Sequence, residues 1–188
     1  MVHSQPGAPM DSGWINSLTL HRLLFLAVAA LLIFCKLLPL NDMAGQWPGP
    51  DFLLCMIFAW TVRRPDYLPV VMIAGVVLLE DLLLMRPPGL WTALVIIGAE
   101  GIRSRVALTR ELSFGVEWLL VGGMMFGLFV AYRMAFVVAF MPQPALGFAL
   151  VQTIWSVMAY PVVVAVSRYG LDLHKPATGE LDAYGRRL

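Results

Sequence analysis

Charge is what this chain has least of. Of its 188 residues, 13% are charged and 60% are hydrophobic, against roughly 25% and 45–50% in soluble domains. A mean hydropathy of +0.78 points the same way. That balance excludes an ordinary soluble domain and identifies an integral membrane protein of the all-α class. The length suits a single helical bundle and leaves no room for a second domain. With no basic stripe or run, the chain is not expected to bind nucleic acid.

Cysteine and histidine are equally sparse. Cys35 and Cys55 both fall in apolar runs, where cysteine behaves as a small hydrophobe. Neither has a Cys or His at metal spacing, so no disulfide framework, zinc site or other cofactor is expected. His3, His21 and His174 share no spacing. No serine-nucleophile motif and no phosphate-binding glycine loop is present, so no catalytic residues are nominated and an enzyme is the least expected class. Glu80-Asp81 with Arg86 has the wrong spacing and the wrong second acid for an intramembrane CAAX-type protease, and lacks its histidines.

What the chain does have is a series of apolar runs separated by breakers. Residues 1–18 are small and polar, a flexible tail. His21-Arg22 before an apolar run resembles the start of a signal peptide, but the run continues through Lys36-Leu37-Leu38 without a small-residue cleavage site. It reads as an uncleaved first membrane helix, about Thr19 to Leu40, with Lys36 free to snorkel to the interface. Asp51 is the expected N-cap of a short second helix, Phe52 to Val62, which Arg63-Arg64-Pro65 ends. Asp66 is placed to cap a third helix running to Met85, with Pro69 in its first turn. Pro87-Pro88-Gly89 is a turn. Helix four covers Leu90 to Ile102, helix five Phe114 to Met141 and helix six Ala145 to Val166. Helices two and four are short for a span. Residues 19–168 thus form a six-helix transmembrane domain, and 169–188 a charged cytoplasmic tail.

Lysine and arginine in short loops orient such a bundle. Six passes with the N-terminus inside put Arg22, Arg63, Arg64, Arg103, Arg105, Arg110, Arg168, Lys175, Arg186 and Arg187 inside, ten against Lys36 and Arg86 outside. Making both short segments re-entrant gives nine against three. Both termini are cytoplasmic either way. All outer loops are short, so work on the far side falls to partners.

Ionised groups inside a bilayer cost about 2.5–3.5 kcal/mol at mid-helix and face the bundle interior. Glu80 and Asp81 lie about 20 Å above Tyr67 along their helix, and Arg133 reaches a similar height on helix five. A pair between Arg133 and either acid is expected, chiefly to fix packing, with binding or proton handling as the sharper alternative. Arg86 is a poorer partner for Asp81 by helical spacing. Glu100 and Arg103 form an ordinary interfacial pair, and Glu117 reaches water. Gln152, Ser156 and Tyr160 recur every four residues as a polar stripe, read as interhelical hydrogen bonding or as the lining of a groove. Gly123 and Gly127 allow close helix contact. Pro161 removes the hydrogen bond to the Val157 carbonyl and kinks helix six.

Taken together, Pro50-Asp51, Trp60, Arg63-Arg64-Pro65, Gly75 with Asp81, Pro87-Pro88-Gly89, Arg103 with Arg105, and Tyr160-Pro161 resemble the bacterial rod shape-determining protein MreD family, over roughly residues 19–168. Met85 stands where that family usually has glycine. The resemblance implies a non-catalytic scaffold of the cell-elongation machinery in the bacterial inner membrane. It also implies association with a single-pass MreC-like protein, with the RodA glycosyltransferase and its transpeptidase, and indirectly with MreB. The family is similar in fold to the substrate-binding subunits of energy-coupling-factor (ECF) vitamin transporters. Under this reading Asp51, Trp60, Arg63, Arg64, Pro65, Asp81 and Gly89 are the partner-binding or structural candidates. The alternative is a transporter subunit with its pocket near Glu80, Asp81, Arg133 and Gln152. Binding of a lipid-linked precursor in the same groove is a third reading.

Overall fold

The computed structural model describes residues 12–38, 48–105, 113–143 and 145–170, with side chains from Leu18 onward. The remainder of both expected tails and the Arg110 position lie outside the described residues. The described chain is all-helical: α1 Ser12–Leu37, α2 Phe52–Arg63, α3 Val70–Leu83, α4 Leu90–Arg103, α5 Phe114–Val138 and α6 Leu146–Gly170. A 3-10 turn, Pro65–Tyr67, links α2 to α3.

Three segments are long and apolar enough to cross a membrane: Leu18–Leu37, Phe114–Val138 and Leu146–Tyr169. They show apolar side chains outward, as α3 also does through Val71, Leu79 and Leu82. Leu119, Phe126, Val130 and Met134 on α5, and Ile154, Met158 and Val162 on α6, are all exposed. So broad an unpartnered apolar surface suits lipid and not water. α2, α3 and α4 have 12, 14 and 14 residues, or roughly 18–21 Å of helix.

α2 is the centre of the molecule. Its sequence is apolar around the whole circumference, and a helix without a polar face has to be enclosed. Every residue from Leu53 to Arg63 is buried. α6 packs most extensively on it, with α4 and α1 completing the surround. Trp60 is wholly buried and lies 5.3 Å from the Phe25 ring of α1. The Thr61 hydroxyl, also buried, donates to the Ile57 carbonyl at 2.7 Å, one turn back.

Several expectations are corrected here. α1 starts at Ser12, within the stretch read as tail, because Trp14, Ile15 and Leu18 continue the apolar pattern. α3 starts at Val70 with Pro69 as its N-cap and makes no cap bond to Asp66. The reason is Pro69, which lacks an N–H and keeps Leu68 out of the α region; Leu68 sits at φ −120°, ψ 75°. A helix from Asp66 cannot pass that point.

The glycine reading also changes. A Cβ on Gly123 or Gly127 would meet nothing within 4 Å, so neither brings helices together. The close approach is at Gly98 of α4, where a Cβ would lie 3.1 Å from Phe58 and 3.2 Å from Leu128. Gly122 comes similarly near Val157, at 3.1 Å. The small-xxx-small pattern finds spacing on one helix but not the direction that spacing faces.

Candidate functional site

Two polar centres sit at opposite ends of α2. At its start, Asp51 is the N-cap, and its Oδ1 accepts the Leu54 N–H at 3.1 Å. The Asp51 N–H donates to Ser156 Oγ at 2.8 Å, and that hydroxyl donates to the Gln152 carbonyl at 2.8 Å. The α2 terminus is thereby tied to α6. Lys36 arrives from the end of α1. Its Nζ lies 2.8 Å from Asp51 Oδ1 and 2.5 Å from Glu80 Oε1. Arg86 Nη1 is 3.8 Å from the same Glu80 oxygen. The Glu80 side chain is 1% exposed, so these cations hold a carboxylate that water hardly reaches.

Lys36 is therefore the partner of the buried acids, and the expected Arg133 pair with Glu80 or Asp81 is replaced. Lys36 also turns inward, where snorkelling would have carried it out. The reason is depth: α1 ends, α2 begins and α3 ends at one level, so the cation and both acids share it. Arg133 instead lies over the Phe129 ring at 5.9 Å, on a helix that does not pack closely on α3.

Asp81 points away from Glu80, as adjacent helical residues do. Its Oδ2 accepts from Thr92 Oγ1 at 2.9 Å, from the Thr92 N–H at 3.2 Å and from the Gly89 N–H at 3.3 Å. Those amides open α4. Asp81 therefore caps a helix that begins nine residues later, just after Gly89, which adopts φ +86°. Met85 holds the other left-handed position of this turn, at φ +52° and 92% exposed. Its N–H and that of Arg86 bond back to the Leu82 and Asp81 carbonyls, a Schellman end for α3. Glycine suits that position best, and it is the residue the resemblance places there.

At the other end of α2, Arg63 Nη1 meets Glu117 Oε1 at 2.8 Å, and the Tyr160 hydroxyl donates to the same oxygen at 3.0 Å. Glu117 is 1% exposed, so the expectation that it reaches water is overturned. Sequence reading missed this pair because Glu117 stands in the first turn of α5, where an acid is ordinary. Nearby, Arg22 Nη2 donates to the Asp66 carbonyl and Arg103 Nη2 to the Leu68 carbonyl. Arg64 lies 5.8 Å over the Tyr67 ring. Glu100 and Arg103 form their expected pair.

The carbonyl released by Pro161 is not left bare. Trp118 of α5 donates its indole N–H to Val157 O at 2.8 Å, and α6 runs unbroken through the proline.

A cavity of about 330 Å³ opens beside the first centre, between α4, α5 and α6 and floored by the start of α2. Arg86, Arg133, Gln152 and Ser156 supply its polar wall, and Trp91, Phe129 and Phe148 much of its apolar one. Among the described residues no group of three His, Cys, Asp or Glu side chains could hold a metal ion. Ser156 is committed to two hydrogen bonds, and the Cys55 thiol donates to the Ser156 carbonyl. No protein-family model, curated protein or solved structure matches this chain.

Proposed function

We propose that this chain is a non-catalytic, multi-pass scaffold of the bacterial inner membrane, similar to MreD, which links an MreC-like bitopic protein to the peptidoglycan synthases of cell elongation. One observation carries this reading: Asp51, Trp60, Arg63, Asp81 and Gly89, five residues of the resemblance, hold the bundle's shape. Asp51 caps α2 and binds Lys36. Trp60 fills the core, Arg63 ties α2 to α5, and Asp81 and Gly89 form the start of α4. Buried side chains committed in this way support a rigid surface for partners.

Six passes with both termini inside are part of the proposal. Arg22, Arg63, Arg64 and Arg103 gather at one end of the bundle and Lys36 and Arg86 at the other, which agrees with the positive-inside rule. The shortness of α2 is no objection, since a helix enclosed by protein has no lipid thickness to match. An ECF-subunit-like fold belongs to the same proposal.

The test is a mild-detergent pull-down of the protein from its own membranes, read by mass spectrometry. Recovery of a single-pass protein with a large periplasmic domain, together with a polytopic glycosyltransferase, is the expected result. The cavity favours a second reading, the substrate-binding subunit of a small-molecule transporter. Recovery of paired ATPases with a small bound molecule would establish that reading and overturn the scaffold.

A further inference from the structure

We infer that the cavity between α4, α5 and α6 is the binding site of an uncharged, planar ring compound with an amide-type edge, held by Gln152 and Tyr132 beside an aromatic wall. A scaffold and a transporter subunit accommodate such a ligand equally, so it depends on neither reading.

Charge sets the first condition. Lys36 and Arg86 stand against Asp51 and Glu80, two of each sign. Lys36 Nζ is 2.8 Å from Asp51, and Arg86 Nη1 is 3.8 Å from Glu80. Arg133, on the same wall, lies over the Phe129 ring at 5.9 Å and is itself engaged with the protein. Asp81, capping α4, supplies a third acid at this end to match it. An ion entering the cavity would give up its hydration to walls whose charges already cancel. A neutral guest incurs no such penalty.

Unused hydrogen-bonding groups set the second condition. Within the polar stripe of α6, Ser156 is committed to the Asp51 N–H and the Gln152 carbonyl, and the Tyr160 hydroxyl to Glu117. Thr153 Oγ1 donates to the Ala149 carbonyl. The Gln152 side-chain amide and the Tyr132 hydroxyl make no hydrogen bond among the described residues, and both side chains line the cavity, half-buried. A primary amide offers an acceptor and two donors in one plane, the complement of a lactam or carboxamide edge. An acyl chain would cover these groups and leave them unpaired.

The rings set the third. Five of the fifteen lining residues are aromatic, against 11% of the chain, so the enrichment belongs to the cavity. Trp91 meets Tyr132 edge-on at 5.4 Å, and Tyr132 lies 4.8 Å from Phe136. Rings fixed against one another present a preformed wall to a flat guest. A volume of about 330 Å³ falls at the small end of ligand pockets, roughly 300–1,000 Å³, which suits one or two fused rings.

The test is equilibrium dialysis of the full chain in mild detergent against empty micelles of the same detergent. Carbostyril, a neutral bicyclic lactam, carries both the ring and the edge. Valerolactam keeps the edge without the aromatic ring, naphthalene the ring without the edge, and quinaldate the ring with a negative charge. Carbostyril is expected to bind at least tenfold more tightly than each of the other three. That comparison is read on the native chain and needs no variant. Gln152→Leu is expected to lower carbostyril binding at least tenfold and to leave naphthalene unchanged. Ala149→Trp, which fills part of the cavity, is expected to lower carbostyril as far, with unfolding midpoints as the folding control. Equal binding of quinaldate would overturn the selection for a neutral guest. Equal binding of naphthalene would overturn the hydrogen-bonding edge, and of valerolactam the ring. Failure of carbostyril to bind, or undiminished binding by either folded variant, would overturn the site itself.

Discussion

Asp81 caps the helix that follows it through Thr92, whose N–H and hydroxyl both reach Asp81 Oδ2, at 3.2 and 2.9 Å. Neither side chain is reached by water to any extent: Asp81 is 0% exposed and Thr92 6%. A buried donor stripped of its acceptor costs about 1–3 kcal/mol. Asp81→Leu strips three, so a loss of roughly 3 kcal/mol or more is expected by equilibrium SDS titration in mixed micelles. Asp81→Asn keeps one acceptor oxygen and is expected to lose less. Equal stability of Asp81→Leu and the native chain would remove the cap from any central role.

Lys36 gives a second prediction. It is the close cation for two buried carboxylates, and breaking a buried pair from one side typically costs about 3–5 kcal/mol. Lys36→Met is expected to fall in that range. Glu80→Gln added to it removes the stranded charge, so the double variant is expected to be at least about 1 kcal/mol more stable than the two single losses summed. Strict additivity would mean the pair is not coupled.

The glycines separate two packing readings. Gly98→Val is expected to destabilise by about 1–3 kcal/mol, because Phe58 and Leu128 already stand 3.1 and 3.2 Å from where its Cβ would be. Gly123→Ala meets open space and is expected to gain about 0.5–1 kcal/mol of helix stability. The reverse order would restore Gly123 as the contact.

Met85 bears on the α3–α4 turn. A non-glycine residue in the left-handed region costs roughly 1–2 kcal/mol, partly offset by glycine's greater chain entropy. Met85→Gly is therefore expected to raise stability by up to about 1 kcal/mol, and Met85→Val to lower it. No difference between the two in unfolding titrations would contradict the φ of +52°.

These residues mark where sequence reading stops. Breakers and caps are local chemistry, so Asp51, the Arg63-Arg64-Pro65 stop and the Gly89 turn were all legible. Depth was legible too, since rise per residue placed Glu80 near one end. Azimuth was not: apolar periodicity weakens when a helix is greasy on every side, as α2 is. Without azimuth nothing chooses Lys36 over Arg133 for Glu80, turns Glu117 inward to Arg63, or prefers Gly98 to Gly123 as the contact. The cavity arises from three helices at once and has no signature in any one of them.

Trp118 and Pro161 supply the last prediction, and it tests a compensation. Proline at 161 has no N–H to offer the Val157 carbonyl. The Trp118 indole takes that place at 2.8 Å, from a different helix. Trp118→Phe keeps most of the ring volume and removes the donor, so a loss of about 1–2 kcal/mol is expected. Pro161→Ala supplies a backbone N–H one turn on, which can satisfy the same oxygen. In that background Trp118→Phe is expected to cost distinctly less, measured as a double-mutant cycle. Should Trp118→Phe cost the same with and without the proline, the indole would be a packing residue only. The α5–α6 contact would then owe nothing to the freed carbonyl.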